Sequence, residues 1–153
     1  MKIIFLDFDG VLNTEQSIRA RGDRGLLLDP DRLRLLKEIV CETDAKIVLS
    51  TSWREHWEKN EADCGEVGRE MNGLFSEFGL QIFDKTPFSR LDRENDIEAW
   101  LAENPQTDAF VVLDDRFLDS RVIRGRFVKT DGYLRGLDER AKNEAISILM
   151  KNC

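Results

Sequence analysis

Three stretches of this 153-residue chain end an apolar run in groups that do polar chemistry. Asp7-Phe8-Asp9-Gly10 follows Ile3 to Leu6, Ser50-Thr51-Ser52 follows Ile47 to Leu49, and Asp114-Asp115 follows Ala109 to Leu113. Apolar runs this short, without helical spacing, read as buried strands. Packing gives no reason to set paired acids beside a core strand, because unpaired buried charge is costly. A divalent cation would resolve that cost, and hard carboxylate oxygens suit Mg²⁺. Gly10 lets the chain turn with a positive φ directly after the second acid. Open α/β sheets bind ligands beyond the carboxyl ends of their strands, which is where all three groups would fall.

The elements that must hold these groups follow from the apolar spacing. Asp29-Pro30 predicts a helix start, with Asp29 as N-cap and Leu33, Leu35, Leu36, Ile39 and Val40 as its apolar face. A helical segment is expected from about Glu55 into the seventies, with a break near Cys64-Gly65 and Gly68. Leu80 to Phe83 reads as a weaker strand, and Asp92 caps a helix facing inward through Ile97, Trp100 and Leu101. A last strand is expected near 126–129, then a helix from Asp138 with Ala141, Ala145, Ile148 and Leu149 inward. Arg21 to Gly25 reads as the tip of a turn or hairpin. Strands alternating with helices predict an α/β fold, a three-layer doubly wound, Rossmann-like parallel sheet in one domain over 1–153.

Lys plus Arg is 23 and Asp plus Glu is 30, for a net charge of -7. That excludes a broad electrostatic footprint for nucleic acid while leaving room for a local basic patch. Arg19, Arg21 and Arg24, and separately Arg121, Arg124 and Arg126, are candidates for such rims, although clusters of this kind are commonly plain solvated faces. Cys41, Cys64 and Cys153 are odd in number and widely spaced, forming neither a metal pair nor a disulfide framework, which fits a reducing cytoplasm. The chain enters a strand at once, and no apolar run approaches membrane-spanning length, so a cytoplasmic protein without a membrane partner is expected.

The first stretch, four apolar residues, Asp7, Phe8, Asp9, Gly10 and then Val11, resembles motif I (hhhhDxDG) of the haloacid dehalogenase (HAD) superfamily. The resemblance implies Asp7 as nucleophile, Asp9 as general acid/base, an aspartyl-phosphate intermediate and Mg²⁺ as cofactor. Ser50-Thr51-Ser52 resembles motif II, which binds the phosphoryl group. Thr51 is favoured, with Ser52 supplying a backbone N–H; a one-residue change of register would instead turn Ser50 to the site. Motif III is a Lys or Arg that holds nucleophile and phosphate together, with Lys85, Arg90 and Arg93 as candidates. Family order favours Arg93, a planar fork where Lys is commoner. Asp114-Asp115 resembles motif IV, which implies a metal site built from Asp7, the backbone carbonyl of Asp9, Asp114 and Asp115.

Ser52-Trp53-Arg54, Thr130-Asp131-Gly132 and Gly136-Leu137 resemble the HAD domains of multidomain "Swiss army knife" RNA-repair proteins. Arg54 is a candidate for holding phosphate, and equally for a structural ion pair. Trp53 and Trp57 could stack on bases or pack along a helix face, and Asp131 is a candidate for orienting groups near the site. His56 has no metal partner in sequence and reads as a surface residue.

The stretch from Asn13 to Asp29 is long enough for a flap and too short for a cap domain, so a minimal or capless member is expected, with 13–28 as the flap. In that family an open site goes with large substrates such as nucleic-acid ends or phosphoproteins, or with oligomers that cover it. The expected function is a Mg²⁺-dependent phosphomonoester hydrolase whose phosphorylated substrate is a nucleic-acid end or nucleotide. A small-metabolite phosphatase and a non-catalytic phosphate- or nucleic-acid-binding domain are the alternatives. Receiver domains carry their acidic pair after the first strand and their acceptor Asp after the third, an order opposite to the one here. The sequence leaves the oligomeric state open.

Overall fold

Lys2–Leu6 forms strand β1, and its apolar run is buried on both sides because helices cover both faces of the sheet. The structure is a computed structural model describing residues 1–22, 25–89 and 92–151. Arg24, Arg90 and Cys153, considered above, lie outside the described residues. β1 pairs with β2 (Lys46–Leu49) on one side and with β4 (Ala109–Asp114) on the other. β3 (Ile82–Lys85) and β5 (Phe127–Lys129) form the edges, giving the order β3-β2-β1-β4-β5 with every pairing parallel.

The chain steps from β1 outward through α2 (Pro30–Thr43) and α3 (Glu66–Glu77), then returns past β1 through α4 (Arg93–Glu103). Right-handed crossovers put helices reached in opposite directions on opposite faces. Accordingly Ile4 and Leu6 of β1 pack with Leu36, Phe75 and Ala145, the last from α5 (Glu139–Met150). Ile3 and Phe5 pack on the other side with Ile97 and Trp100 of α4. Phe5 meets Trp100 and Phe110 edge-on, at centroid distances of 5.4 and 5.7 Å. Each such buried side chain contributes about 1.5–3 kcal/mol of transfer free energy. The direction of strand-to-strand travel reverses between β1 and β4, and that switch point is where a doubly wound sheet opens a crevice.

Four local expectations are revised. Residues 15–21 form helix α1 (Glu15–Arg21) where a hairpin was expected, held by a Thr14–Ser17 capping box and not by an apolar face. The segment after β2 begins as short 3₁₀ turns (Ser52–His56, Glu61–Asp63) where a helix was expected, and the expected break at Cys64-Gly65 leads into α3. Gly68 is required there, since a Cβ would lie 2.2 Å from the His56 carbonyl oxygen. β3 begins at Ile82, two residues late, because Gly79 (φ 67) ends the preceding turn and Leu80 turns into the core. The Asp29 carboxylate does not cap α2; it pairs with Arg32 at 2.9 Å. Asp92 and Asp138 do cap α4 and α5. Among the described residues no helix is long and apolar enough to cross a membrane.

Candidate active site

Side chains alternate across a strand, so the residue two beyond Phe5, Val48 or Val112 keeps the same face. Those three pack on the α4 side, and the residues two beyond them are Asp7, Ser50 and Asp114. The ladder carries one step past β1 and β2, through Asp7 N–H to Leu113 O (3.1 Å) and Ser50 N–H to Leu6 O (3.0 Å). Three polar side chains are thereby set side by side at the switch point. Asp114 is fully buried and Asp7 is 5% exposed.

Arg93 opens α4 and reaches back into this pocket. Its Nη1 lies 3.1 Å from Asp7 Oδ2 and 2.5 Å from Asp114 Oδ2, bridging two carboxylates with one guanidinium nitrogen. Asp7, Asp114 and Asp115 each bring a carboxylate oxygen within 4.8 Å of the others. Asp115 is seated between two glycines: a Cβ on Gly10 (φ 86) or on Gly132 would lie 2.3 Å from its Oδ2. Thr130 ties that wall together, its hydroxyl donating to Gly10 O (2.6 Å) and its N–H to Asp114 O (2.9 Å). The Asp131 carboxylate accepts from the Tyr133 N–H and closes a turn.

One arginine does not balance three acids. Burial, with Asp114 and Asp115 adding repulsion, pushes the Asp7 carboxyl up to about 7, against the opposing pull of Arg93 and the Thr51 hydroxyl. Burial and Asp114 also hold Asp115 above the usual carboxylate range. Burial alone would lower the Arg93 pKa, but Asp7 and Asp114 outweigh it and raise it. Crowded, hard, buried oxygens short of positive charge are the donor set a divalent cation such as Mg²⁺ takes, and the residues present fit that ion.

Asp9 has a different setting. It is exposed, and its carboxylate stands apart from the other three. Asn13 Nδ2 donates to its Oδ1 (3.1 Å) and the Trp53 indole N–H to its Oδ2 (3.0 Å). Asn13 is itself locked, accepting from Gly10 N–H (2.9 Å) and donating to Leu27 O (2.9 Å). Sequence reasoning did not single out Asn13, and it considered Trp53 only for stacking. The available signal was an Asn four residues after Asp9 in a glycine turn, a residue type that bridges backbone and side chain there.

Of the second stretch, the Thr51 hydroxyl lies near enough to Asp7 to pull its pKa down and accepts from the Trp53 N–H (3.3 Å). The Ser50 hydroxyl is buried without a partner among the described residues, and Ser52 is exposed at the start of the 3₁₀ turn. Of the cations considered for motif III, Arg93 reaches the acids and Lys85 does not. Lys85 Nζ is held by Trp57 O (2.7 Å), Arg54 O (3.3 Å) and Glu58 Oε1 (3.0 Å), all outside the carboxylate cluster.

Arg54 is also corrected as a phosphate ligand. Its five N–H donors go to Thr86 O, Ser50 O, Thr51 O, Pro87 O and Asp96 Oδ2, at 2.8–3.2 Å, so none is left for a phosphoryl oxygen. Trp57 is core, its indole bonded to Asn72 (3.0 Å), and His56 is exposed beside Glu55. Arg121, Arg124 and Arg126 line a groove of about 510 Å³ with Leu101, Thr107 and Phe110, near the start of β4. That is the end of the sheet opposite the acids, so they do not rim the site. Arg19 pairs with Glu15, and Arg21 donates to Leu26 O (3.1 Å).

A doubly wound parallel sheet with Asp-x-Asp-Gly at its switch point, an arginine bridging the first acid to a later Asp, and a Thr near the first acid defines a hydrolase of the HAD type. The chain belongs to the family described as the HAD domain in Swiss Army Knife RNA repair proteins, which matches residues 3–141. Comparison with curated proteins and with solved structures gave no match.

Proposed function

We propose that this chain hydrolyses phosphomonoesters through an aspartyl-phosphate on Asp7, with Mg²⁺ as cofactor. The observation that carries the reading is the convergence of Asp7, Asp114 and Asp115 on one arginine at the switch point, with Asp9 held separately. Asp7, Asp114 and Asp115 would hold the cation, which when bound offsets the repulsion between carboxylate and phosphoryl oxygens.

The protein's own groups supply the rest. Ionised Asp7 attacks phosphorus, the bond from phosphorus to the leaving oxygen breaks, and Asp9 gives that oxygen a proton. Asp9 then takes a proton from water as the water attacks phosphorus, the bond to Asp7 breaks, and inorganic phosphate leaves. Arg93 keeps Asp7 in place for both in-line steps and is positioned to meet the phosphoryl charge. Asn13 and Trp53 each hold one Asp9 oxygen, which fixes the plane of the carboxylate. Thr51 orients Asp7. The open mouth, without a cap domain, and the RNA-repair description of the family support a nucleic-acid end or nucleotide as the phosphate ester.

Phosphate release from an aryl phosphate tests this, measured with Mg²⁺ and with chelator. Release that needs Mg²⁺ and is lost in Asp7→Asn is expected. Release that persists in Asp7→Asn, or none from any phosphomonoester offered, would overturn it.

A further inference from the structure

Every exposed aromatic ring in this chain stands on a loop at the carboxyl edge of the sheet. Phe88 is 58% exposed, Phe117 75% and Tyr133 55%, while the other aromatic side chains are buried or half-buried. Phe117 lies two residues past Asp115, and the N–H of the residue between, Arg116, donates to Asp114 Oδ1 (2.9 Å). Tyr133 follows Gly132, which lies against the Asp115 carboxylate. Phe88 lies on the connection from β3 to Arg93, its ring 4.6 Å from the Arg54 guanidinium carbon. Three rings on three separate loops around one polar mouth lie outside the core clusters, which are complete without them.

Two of the rings come with free charge. Arg116 and Arg135 are exposed and form no ion pair among the described residues. Flat apolar faces beside unpaired guanidinium groups, set around a phosphate-directed pocket, suit a single strand whose bases stack while its phosphodiesters meet the arginines. A net charge of -7 disfavours a long polyanion track, so contact is confined to the strand's end.

We propose that Phe88, Phe117 and Tyr133, with Arg116 and Arg135, form a stacking rim that grips the last few nucleotides of a single-stranded polynucleotide whose terminal phosphate enters the site. The inference rests on the phosphomonoesterase reading above and adds the recognition of the bases. Ile18 of α1, the helix whose Gln16 N–H donates to Tyr133 O, and Leu134 are also exposed, and are the feature a protein partner would use instead.

The test is fluorescence anisotropy on the Asp7→Asn protein, using short single strands phosphorylated at the 5′ or the 3′ end. The same strands with abasic sugars in the last positions keep the charge and remove the stacking. Strands with bases are expected to bind at least about 10-fold tighter than abasic ones. Phe117→Ala, Tyr133→Ala and Phe88→Ala, made in the same background, are each expected to weaken binding about 5- to 100-fold and to erase most of that preference. Equal binding of abasic strands, or unchanged binding in all three variants, overturns the rim. So does a dimer in sedimentation that Phe117→Ala or Tyr133→Ala dissolves while no strand binds. Wild-type turnover of a small sugar phosphate separates the two claims. If it persists when the rim fails, the rim alone is wrong; if no phosphomonoester offered is turned over either, the hydrolase reading falls with it.

Discussion

Two arginines at the same end of the sheet, Arg54 buried and Arg93 half-buried, do opposite things. Arg54 faces one carboxylate, Asp96, and four carbonyl oxygens, and every donor it has is used. Asp96 is equally complete, accepting from Arg54 (2.9 Å), Ser89 N–H (3.2 Å) and the Ser89 hydroxyl (2.5 Å). Arg93, by contrast, is the one cation among the described residues that pairs with the three-carboxylate cluster, two members of which stay above their ordinary pKa. A balanced buried charge is a staple; an unbalanced one is a vacancy for a ligand. Arg54 ties the ends of β2 and β3 to α4, and so helps set where Arg93 stands.

Breaking each arginine should separate these roles. Arg54→Met leaves Asp96 buried and unpaired along with four carbonyl oxygens, and is expected to cost about 3–5 kcal/mol in denaturant unfolding. Arg93→Met is expected to cost chiefly turnover, about 10²- to 10³-fold in kcat, with much less loss of stability. If Arg93→Met unfolds the protein as readily as Arg54→Met, the contrast is wrong.

The pH dependence sharpens it. Asp7 binds its proton more tightly folded, near 7, than unfolded, at 3.8. Its contribution is therefore fully present below about 4, declines as pH rises, and is lost above about 7. Metal-free protein should melt at a lower temperature at pH 8 than at pH 5, and Asp7→Asn should flatten that slope. A slope of the same size in Asp7→Asn would assign it elsewhere.

The smallest effect concerns Asp9. Trp53→Phe removes one of two donors to its carboxylate and is expected to lower kcat about 5- to 10-fold for alkyl phosphates. The loss should be smaller for aryl phosphates, whose leaving oxygens need less protonation. A uniform loss across leaving groups would make Trp53 a packing residue only.

Much of this arrangement could be read before the fold was seen. Ile3 to Leu6 and Ala109 to Leu113 are apolar throughout because both faces are covered, and an acid just past such a run has nowhere to be but the sheet's edge. The resemblance pointed to Arg93, because family order puts the cation just before the helix that leads into the Asp114-Asp115 strand. What escaped depended on contacts between distant segments. Arg54 reads the same in sequence whether it meets a phosphate or five protein acceptors. Asn13 and Trp53 meet at Asp9 only once β2 lies beside β1. Helix α1 has no buried residue to betray it; its start is pinned by Glu15 and Gln16 N–H groups on Gly132 and Tyr133 carbonyls.

The most direct test of the unbalanced pocket is the melting temperature at pH 8 with and without Mg²⁺, in wild type and in Asp114→Asn. Saturating Mg²⁺ should raise the wild-type melting temperature by roughly 5–10 °C, and raise Asp114→Asn far less. No shift in wild type, or an equal shift in both proteins, would contradict a divalent-cation site built on Asp7, Asp114 and Asp115.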